Sequence, residues 1–284
     1  MFYNKVTTIT STSNDIDEEG GLFSGCTTLE SIVIPDSATS IGAYTFYGCS
    51  RLTNVTIGNS VTSIGSSVFE DCSSLTSVTI PDSVTSIGSY AFSHCSSLTS
   101  VTIGNSVSHI GRRAFYWCEK LSNVNIPNSL TIVEDTIFES CSSLPVIDNI
   151  RYADTVVVKS IGGSSIKEDA RIIQGSAFFG CNLTNITIHD KISCIGDSAF
   201  RSSEKLKSIT IGENVTYIGM YAFDGCETLK EVYCKATTPP TVIRYAFDGN
   251  AYGRKIYVPR NSVEAYKSAS GWSNYADYIV GYDF

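Results

Sequence analysis

Ten cysteines and three histidines are the side chains of this chain best suited to metal binding, redox work or nucleophilic attack. Six of the cysteines, Cys26, Cys49, Cys72, Cys95, Cys118 and Cys141, follow one another at a fixed interval of 23 residues. Zinc sites draw ligands from close pairs such as C-x-x-C, and no such pair occurs. A disulfide framework would pair an even count in an oxidising space. Cys181 and Cys226 continue the series after a break, but Ser203 and Asn250 hold the same slot where two other members would fall, which a required bridge would not tolerate. The slot therefore reads as a small buried hydrophobe repeated along a stack. Cys194 and Cys234 lie elsewhere in the repeat.

A second beat runs three residues earlier, through Phe23, Phe46, Phe69, Phe92, Phe115 and Phe138, and resumes at Phe178, Phe200, Phe223 and Phe247. Such a period marks a repeat architecture. In its frame His94 falls just after Phe92, His109 takes the slot of Ser86, and His189 that of Pro81. The three imidazoles project from different parts of the unit, which predicts no shared metal or acid–base site. No Gly-rich phosphate loop, H-E-x-x-H or G-x-S-x-G motif is present, and no carboxylate pair repeats. Catalytic, cofactor-binding and metal-ligating residues are all expected to be none.

The elements that carry these slots are legible in Leu75 to Cys95. Leu75-Thr76-Ser77-Val78-Thr79-Ile80 ends in alternation, with Val78 and Ile80 inward and Thr79 outward, and predicts a short strand. Pro81-Asp82-Ser83 turns the chain, and Gly58-Asn59-Ser60, Gly104-Asn105-Ser106 and Pro127-Asn128-Ser129 stand in its place in neighbouring units. A second extended piece, Val84 to Ile87, precedes a bend at Gly88. Tyr90-Ala91-Phe92 reads as a tight helical turn whose Phe plugs the coil. Each coil leaves open backbone groups that the next satisfies by parallel pairing, at about 4.8 Å per layer, with the right-handed crossover usual for parallel strands.

The prediction is thus an α/β repeat solenoid, a right-handed superhelix of about ten coils of 22–24 residues, forming a single domain over 1–284. Residues 1–22 read as a degenerate first coil. The step from Phe138 to Phe178 is 40, so 17 extra residues enter one coil; the insertion, 145–165, reads as a projecting hairpin with arms Ile150 to Tyr152 and Thr155 to Lys159. Residues 260–284 read as a C-terminal cap, with Asn261 or Ser262 capping a short helix.

Charge excludes some partners. The net charge is -8 with no basic block, so the electrostatic footprint for nucleic acid or anionic lipid is missing. No stretch is apolar for long enough to span a bilayer, which predicts no membrane insertion. Met1 to Val6 lacks a basic start and apolar core. Either the chain stays inside the cell or a leader lies outside it, and the second is favoured.

The L-x-x-V-x-I-P-x-S-V-x-x-I-G-x-x-A-F-x-x-C pattern of Leu75 to Cys95, repeated nearly throughout, resembles the BspA-like branch of leucine-rich repeats. Cys234 to Pro240 and Tyr257 to Lys267 look like the ending of such proteins in gut Bacteroides-type bacteria. The turn departs from the common leucine-rich pattern, in which Asn or Cys follows the strand. The resemblance implies an extracellular or cell-surface protein, often an adhesin or mediator of protein contact, and carries over no catalytic residue. Asp36-Ser37-Ala38, Asp82-Ser83-Val84 and Asp154-Thr155-Val156 look like O-glycosylation acceptors of such organisms, although turn chemistry accounts for the first two.

The outward strand slot runs through Val33, Thr56, Thr79, Thr102, Asn125, Thr187, Thr210, Tyr233 and Tyr257. Thr79, Thr102, Asn125, Thr187, Thr210, Tyr233 and Tyr257, with Tyr152 on the hairpin, are the candidate ligand contacts. The expected partner is a protein of host matrix or bacterial surface, bound without catalysis. The alternative is a glycan, and an enzyme stands last.

Overall fold

The computed structural model describes residues 8–10, 21–133 and 136–284. Most of the degenerate coil expected at 1–22 lies outside the described residues; its strand Thr8–Thr10 pairs in parallel with Ser31–Ile34. The chain divides into two compact units, Met1–Pro145 and Val146–Phe284. The boundary falls where the inserted segment begins. Together they hold about 11 parallel-strand turns.

In the first unit each coil contributes to three hydrogen-bonded faces. The first carries Ser31–Ile34 and Asn54–Ile57 in one sheet and Ser77–Thr79, Ser100–Thr102 and Asn123–Val124 in another. All pair in parallel, in a register that lays Val78 beside Val101 and Val101 beside Val124. The second face is a continuous five-stranded sheet, Ser40–Ile41, Ser63–Ile64, Ser86–Ile87, His109–Ile110 and Ile132–Val133. Because like stands over like, the interior is a set of columns. Leu52, Leu75, Leu98 and Leu121 are buried, as are Ile64, Ile87 and Ile110. Phe rings from Phe23 to Phe138 stack at 5.2–5.4 Å with their planes nearly parallel.

The third face corrects the expected helical turn. Tyr90 (φ 59°) and His94 (φ 57°) are left-handed, as are Ser67 and Asp71 one coil earlier and Arg113 and Trp117 one coil later. A right-handed helix contains no such residues. The segment is instead a run of tight turns in which every second peptide group points along the stack. The N–H groups of Tyr90, Phe92 and His94 donate to the carbonyls of Arg112, Ala114 and Tyr116 in the next coil (2.9, 2.7 and 2.7 Å). The carbonyls of Ser89, Ala91 and Ser93, on the same three peptide groups, accept from Ser67, Phe69 and Asp71 in the coil before (2.9, 2.8 and 2.9 Å). Dipoles that alternate in an ordinary sheet add here, as they do in a helix.

The turn after the first strand also has structure the repeat alone hides. Pro35, Gly58, Pro81, Gly104 and Pro127 alternate coil by coil. A Cβ on Gly58 would lie 2.5 Å from the Pro35 carbonyl oxygen, and one on Gly104 would collide with that of Pro81. The Asp after Pro35 and after Pro81 then accepts the backbone N–H of the Asn one coil on, Asn59 to Asp36 at 2.6 Å and Asn105 to Asp82 at 2.7 Å. This turn is thus built from two coils that fit one another.

In the second unit the inserted hairpin exists but does not project. Its arms Ile150–Ala153 and Val156–Ser160 pair antiparallel around Asp154, and Val156–Ser160 then pairs in parallel with Ile172–Ile173. The hairpin joins a seven-stranded sheet that continues through Cys194–Ile195, Tyr217–Ile218 and Thr241–Val242. Val156, Val157 and Val158 are all buried, so docking was worth three apolar side chains. A second sheet holds Asn185–Ile188, Ser208–Ile211, Glu231–Cys234, Lys255–Pro259 and, last, Ile279–Tyr282, all in parallel.

Between the last two strands lies the helix Val263–Ser268. Ser262 precedes it but makes no side-chain cap; its hydroxyl donates to the Thr237 carbonyl at 2.7 Å. Tyr266 and Trp272 are buried, donating to the carbonyls of Ala236 (2.7 Å) and Pro240 (2.8 Å).

Candidate interaction surface

The cysteine column is not a passive filler. Six of its Sγ–H groups donate to the carbonyl of the Phe one coil back, Cys49 to Phe23, Cys72 to Phe46, Cys95 to Phe69, Cys118 to Phe92, Cys141 to Phe115 and Cys226 to Phe200, at 3.0–3.3 Å. Ser203 makes the same bond to Phe178 at 3.0 Å and Asn250 to Phe223 at 2.6 Å. The slot needs a small donor, which corrects the reading of it as a plain hydrophobe. The tolerated residues, Ser and Asn, were the sequence signal. Burial pushes the Cys49, Cys72, Cys95, Cys118 and Cys226 thiols up, to about 12 for Cys49 and for Cys226. They are thus poor nucleophiles at neutral pH.

The histidines occupy three different settings. His94 lies on the third face, His109 in the second-face strand His109–Ile110, and His189 has its Nε2 2.9 Å from the Lys167 carbonyl. Among the described residues no group of three or more His, Cys, Asp or Glu could hold a metal ion.

The candidate contacts divide into three groups. Thr79, Thr102 and Thr187 stand exposed on first-face strands. Asn125 is exposed too, but its amide is occupied: Nδ2 donates to the Ile103 carbonyl (2.9 Å) and Oδ1 accepts the Ile103 N–H (2.7 Å), standing in for a strand neighbour. Tyr152 is a correction. It is 1% exposed, its hydroxyl accepts the Lys167 N–H at 3.0 Å, and it packs inside the docked hairpin. Other surface hydroxyls work within the stack. Thr62 and Thr85 donate to carbonyls 23 residues back at 3.0 and 3.1 Å, and Ser83 of the second glycosylation-like triplet donates to Val61 at 2.7 Å. Thr155 of the third triplet accepts from Arg171 at 3.3 Å.

Thr210, Tyr233 and Tyr257 are half-buried and lie in register on adjacent strands. Tyr233 and Tyr257 stack at 4.7 Å, and Tyr282 of the last strand sets its edge against both (5.5 and 5.4 Å). Phe284 meets Tyr282 at 5.0 Å. Tyr282 and Phe284 are 41% and 52% exposed, so the cluster opens to solvent. Its rim is charged. Arg260 holds Asp283 through two bonds of 3.0 and 2.7 Å, which lowers the carboxyl and raises the guanidinium. Burial and Glu231 raise the Tyr233 phenol. Tyr233 and Tyr257 both lie beside the last strand, and Tyr282 and Phe284 were missed because nothing local marks that strand.

A second aromatic group was missed on the third face of the first unit. Trp117, 43% exposed, lies 5.4 Å from His94 and 6.1 Å from Tyr116, and the Arg113 guanidinium sits 4.9 Å over the Tyr116 ring.

Parallel short strands closing coil on coil, with an aromatic cluster on the strand face, define a repeat-built β-solenoid. The model of the BspA type leucine-rich repeat region matches residues 17–145 and 157–270, and the chain belongs to that family. It is similar to a solved leucine-rich repeat protein of T. pallidum, with 32% identity over 49% of this chain and 68% of that one and a TM-score of 0.44. A leucine-rich repeat protein of Bacteroides ovatus is 24% identical over 92% of this chain and 78% of its own (TM-score 0.49). A leucine rich cell surface protein of Faecalibacterium prausnitzii is 23% identical over 98% and 92% (TM-score 0.39). No curated protein sequence matches the chain. Among the described residues no helix is long and apolar enough to cross a membrane.

Proposed function

We propose that this chain is a noncatalytic, secreted or surface-attached repeat protein that binds another protein of host matrix or bacterial surface. The observation that carries the reading is the solvent-open stack of Tyr233, Tyr257 and Tyr282 on the strand face, rimmed by Arg260 and Asp283. Aromatic anchors ringed by charge are the composition of interface hot spots. The leucine-rich repeat family points the same way, and a neighbour described as a cell surface protein supports the location.

The test is capture of host matrix and bacterial surface proteins by the intact chain, repeated with Tyr257→Ala. Truncating a hot-spot aromatic costs about 2 kcal/mol or more, roughly thirtyfold in affinity. No saturable binding across the panel, or binding indifferent to Tyr257→Ala, counts against the reading. A glycan is the second reading, favoured by the exposed Trp117 ring beside the Arg113 guanidinium. A glycan array that responds to Trp117→Ala would favour it.

A further inference from the structure

The strand face of the second unit begins at an open edge. Asn185–Ile188 is the first strand of its sheet and pairs on one side only, with Ser208–Ile211. In that register Ser208 and Thr210 turn toward the preceding coil, and their equivalents one coil earlier are Asn185 and Thr187. The N–H and C=O groups of Asn185 and Thr187 therefore face a position that holds no strand among the described residues. They recur at about 6.6 Å, two residues along the strand.

The inserted hairpin is what empties this position. Residues 163–166 occupy the strand slot of their coil, but they are held away from Asn185–Ile188. The Gly163 N–H donates to the Asn149 carbonyl (3.2 Å), and its Cα lies so close to the Asp148 carbonyl oxygen that a Cβ would collide with it. Lys167 is pinned at the other end, its N–H on the Tyr152 hydroxyl (3.0 Å) and its carbonyl on His189 (2.9 Å). A crevice of about 670 Å³ opens between the two walls, Ser164, Ser165 and Ile166 facing Asn185, Ile186 and Thr187. Ile166 and Ile186 form an apolar floor, and the hydroxyls and the amide line the rim.

We propose that this crevice accepts an extended peptide segment of another protein, which adds to Asn185–Ile188 as a strand. The proposal rests on the protein-contact reading above and gives it a second, separate site. Unpaired backbone donors and acceptors at strand spacing are matched by another extended backbone, and pairing along a sheet edge is an established mode of peptide capture. The small uncharged side chains of the two facing walls leave apolar choice to the floor, while Glu168, Asp190 and Lys191, which also line the crevice, favour polar residues beyond it. A bound segment should alternate, with a branched apolar residue opposite Ile186 and polar residues on either side.

A random dodecapeptide library displayed on phage and panned against the intact chain tests this. Selected peptides should alternate in this way. N-methylation of alternate backbone amides should weaken binding roughly tenfold or more, because each loses a hydrogen bond and gains a clash, whereas methylation of the intervening amides should not. Thr187→Pro removes the outward N–H without taking a bond from Ser208–Ile211, and should cause a comparable loss. Ser165→Trp fills the crevice from the opposite wall and should do the same if Thr187→Pro proves poorly folded. Absence of saturable peptide binding, or binding insensitive to both the methylation pattern and these variants, overturns the proposal. Self-association of the chain in sedimentation velocity that Thr187→Pro abolishes overturns it too, since the occupant would be a second copy. Tyr257→Ala should leave peptide binding unchanged; Tyr257-dependent protein capture with no peptide binding at Asn185–Ile188 would sink this inference and spare the protein-contact reading.

Discussion

The thiol column invites a three-way substitution at Cys95. Its side chain is fully buried, and its Sγ–H meets the Phe69 carbonyl at 3.2 Å. That carbonyl also accepts the Cys72 N–H at 3.2 Å, so removing the thiol does not orphan it. The bond is then worth about 0.5–1 kcal/mol, the low end for a buried pair. The sulfur itself contributes about 1 kcal/mol of transfer free energy, and the void left by its removal adds a cavity term. Cys95→Ala should cost about 2 kcal/mol in total. Cys95→Ser loses the transfer term but keeps a donor in the geometry that Ser203 already uses toward Phe178, and should cost about 1 kcal/mol. Cys95→Val has no donor and forces a methyl into a filled column, at about 3 kcal/mol. Urea unfolding of the three variants in reducing buffer gives the order directly. If Ser costs more than Ala, the slot is an apolar socket and the hydrogen-bond account is wrong.

Alkali should unfold the protein from about the ordinary thiol value upward. The native state favours neutral Cys49 and Cys226, whose values rise from 9.0 to about 12, so the stability they add is intact below 9.0 and is lost as pH climbs toward 12; a thiol probe should find them unreactive at pH 8 without denaturant. Gly104→Ala should cost about 3 kcal/mol, because its Cβ meets the Pro81 backbone, whereas Gly25→Ala, left-handed but with nothing within 4 Å, should cost about 1; equal losses in thermal melts would discount the interlocking turn. Ser202→Gly should raise stability by about 0.5–1 kcal/mol, since Ser202 is left-handed (φ 57°) in the slot that Gly225 fills one coil later; a lower melting temperature would refute it.

Periodicity made the strands legible because stacking forces identical demands on each coil: Val78, Val101 and Val124 share a column, so they share a residue type. The strand positions, the Phe stack and the family resemblance all followed from that one constraint, although the strands Ser77–Thr79 and Ser86–Ile87 are shorter than the extended pieces expected. What escaped had other causes. Left-handed residues in the third face are often Tyr, His, Trp, Ser or Asp, and only a consistent Gly would have announced them. The hairpin was legible as two arms, but whether it docks depends on a partner strand, Ile172–Ile173, that local pattern does not name. Three consecutive valines at 156–158 argued for burial on both faces and hence against projection. The open edge at Asn185–Ile188 follows from the tether at Gly163, a contact only the folded hairpin creates. Tyr233 and Tyr257 were found from their slot, whereas the Tyr282 that completes their cluster arrives from beyond the last repeat.

The aligned peptide groups of the third face make each unit polar, with N–H groups leading toward the C-terminal coils. Such a column ends on unpaired donors, and burying them without partners would be costly. In the second unit the Phe223 N–H donates to the Ala246 carbonyl at 2.7 Å, so the next N–H in line is that of Phe247. It finds the Tyr275 hydroxyl at 3.2 Å, and that hydroxyl in turn donates to the Asp248 carboxylate at 2.8 Å. The relay puts an acceptor on the donor end and a negative charge behind it, the arrangement that stabilises a helix N-terminus. Burial, opposed by the Phe247 N–H, pushes the Tyr275 phenol up to about 12, consistent with a hydroxyl held neutral as both donor and acceptor. Tyr275→Phe should therefore cost about 1–2 kcal/mol, the value of a buried hydrogen bond and an exposed column end together. Hydrogen exchange separates this from a simple loss of packing: the Phe247 amide should exchange faster while Phe223, one layer in, stays protected, and equal protection of both would show that the column needs no cap.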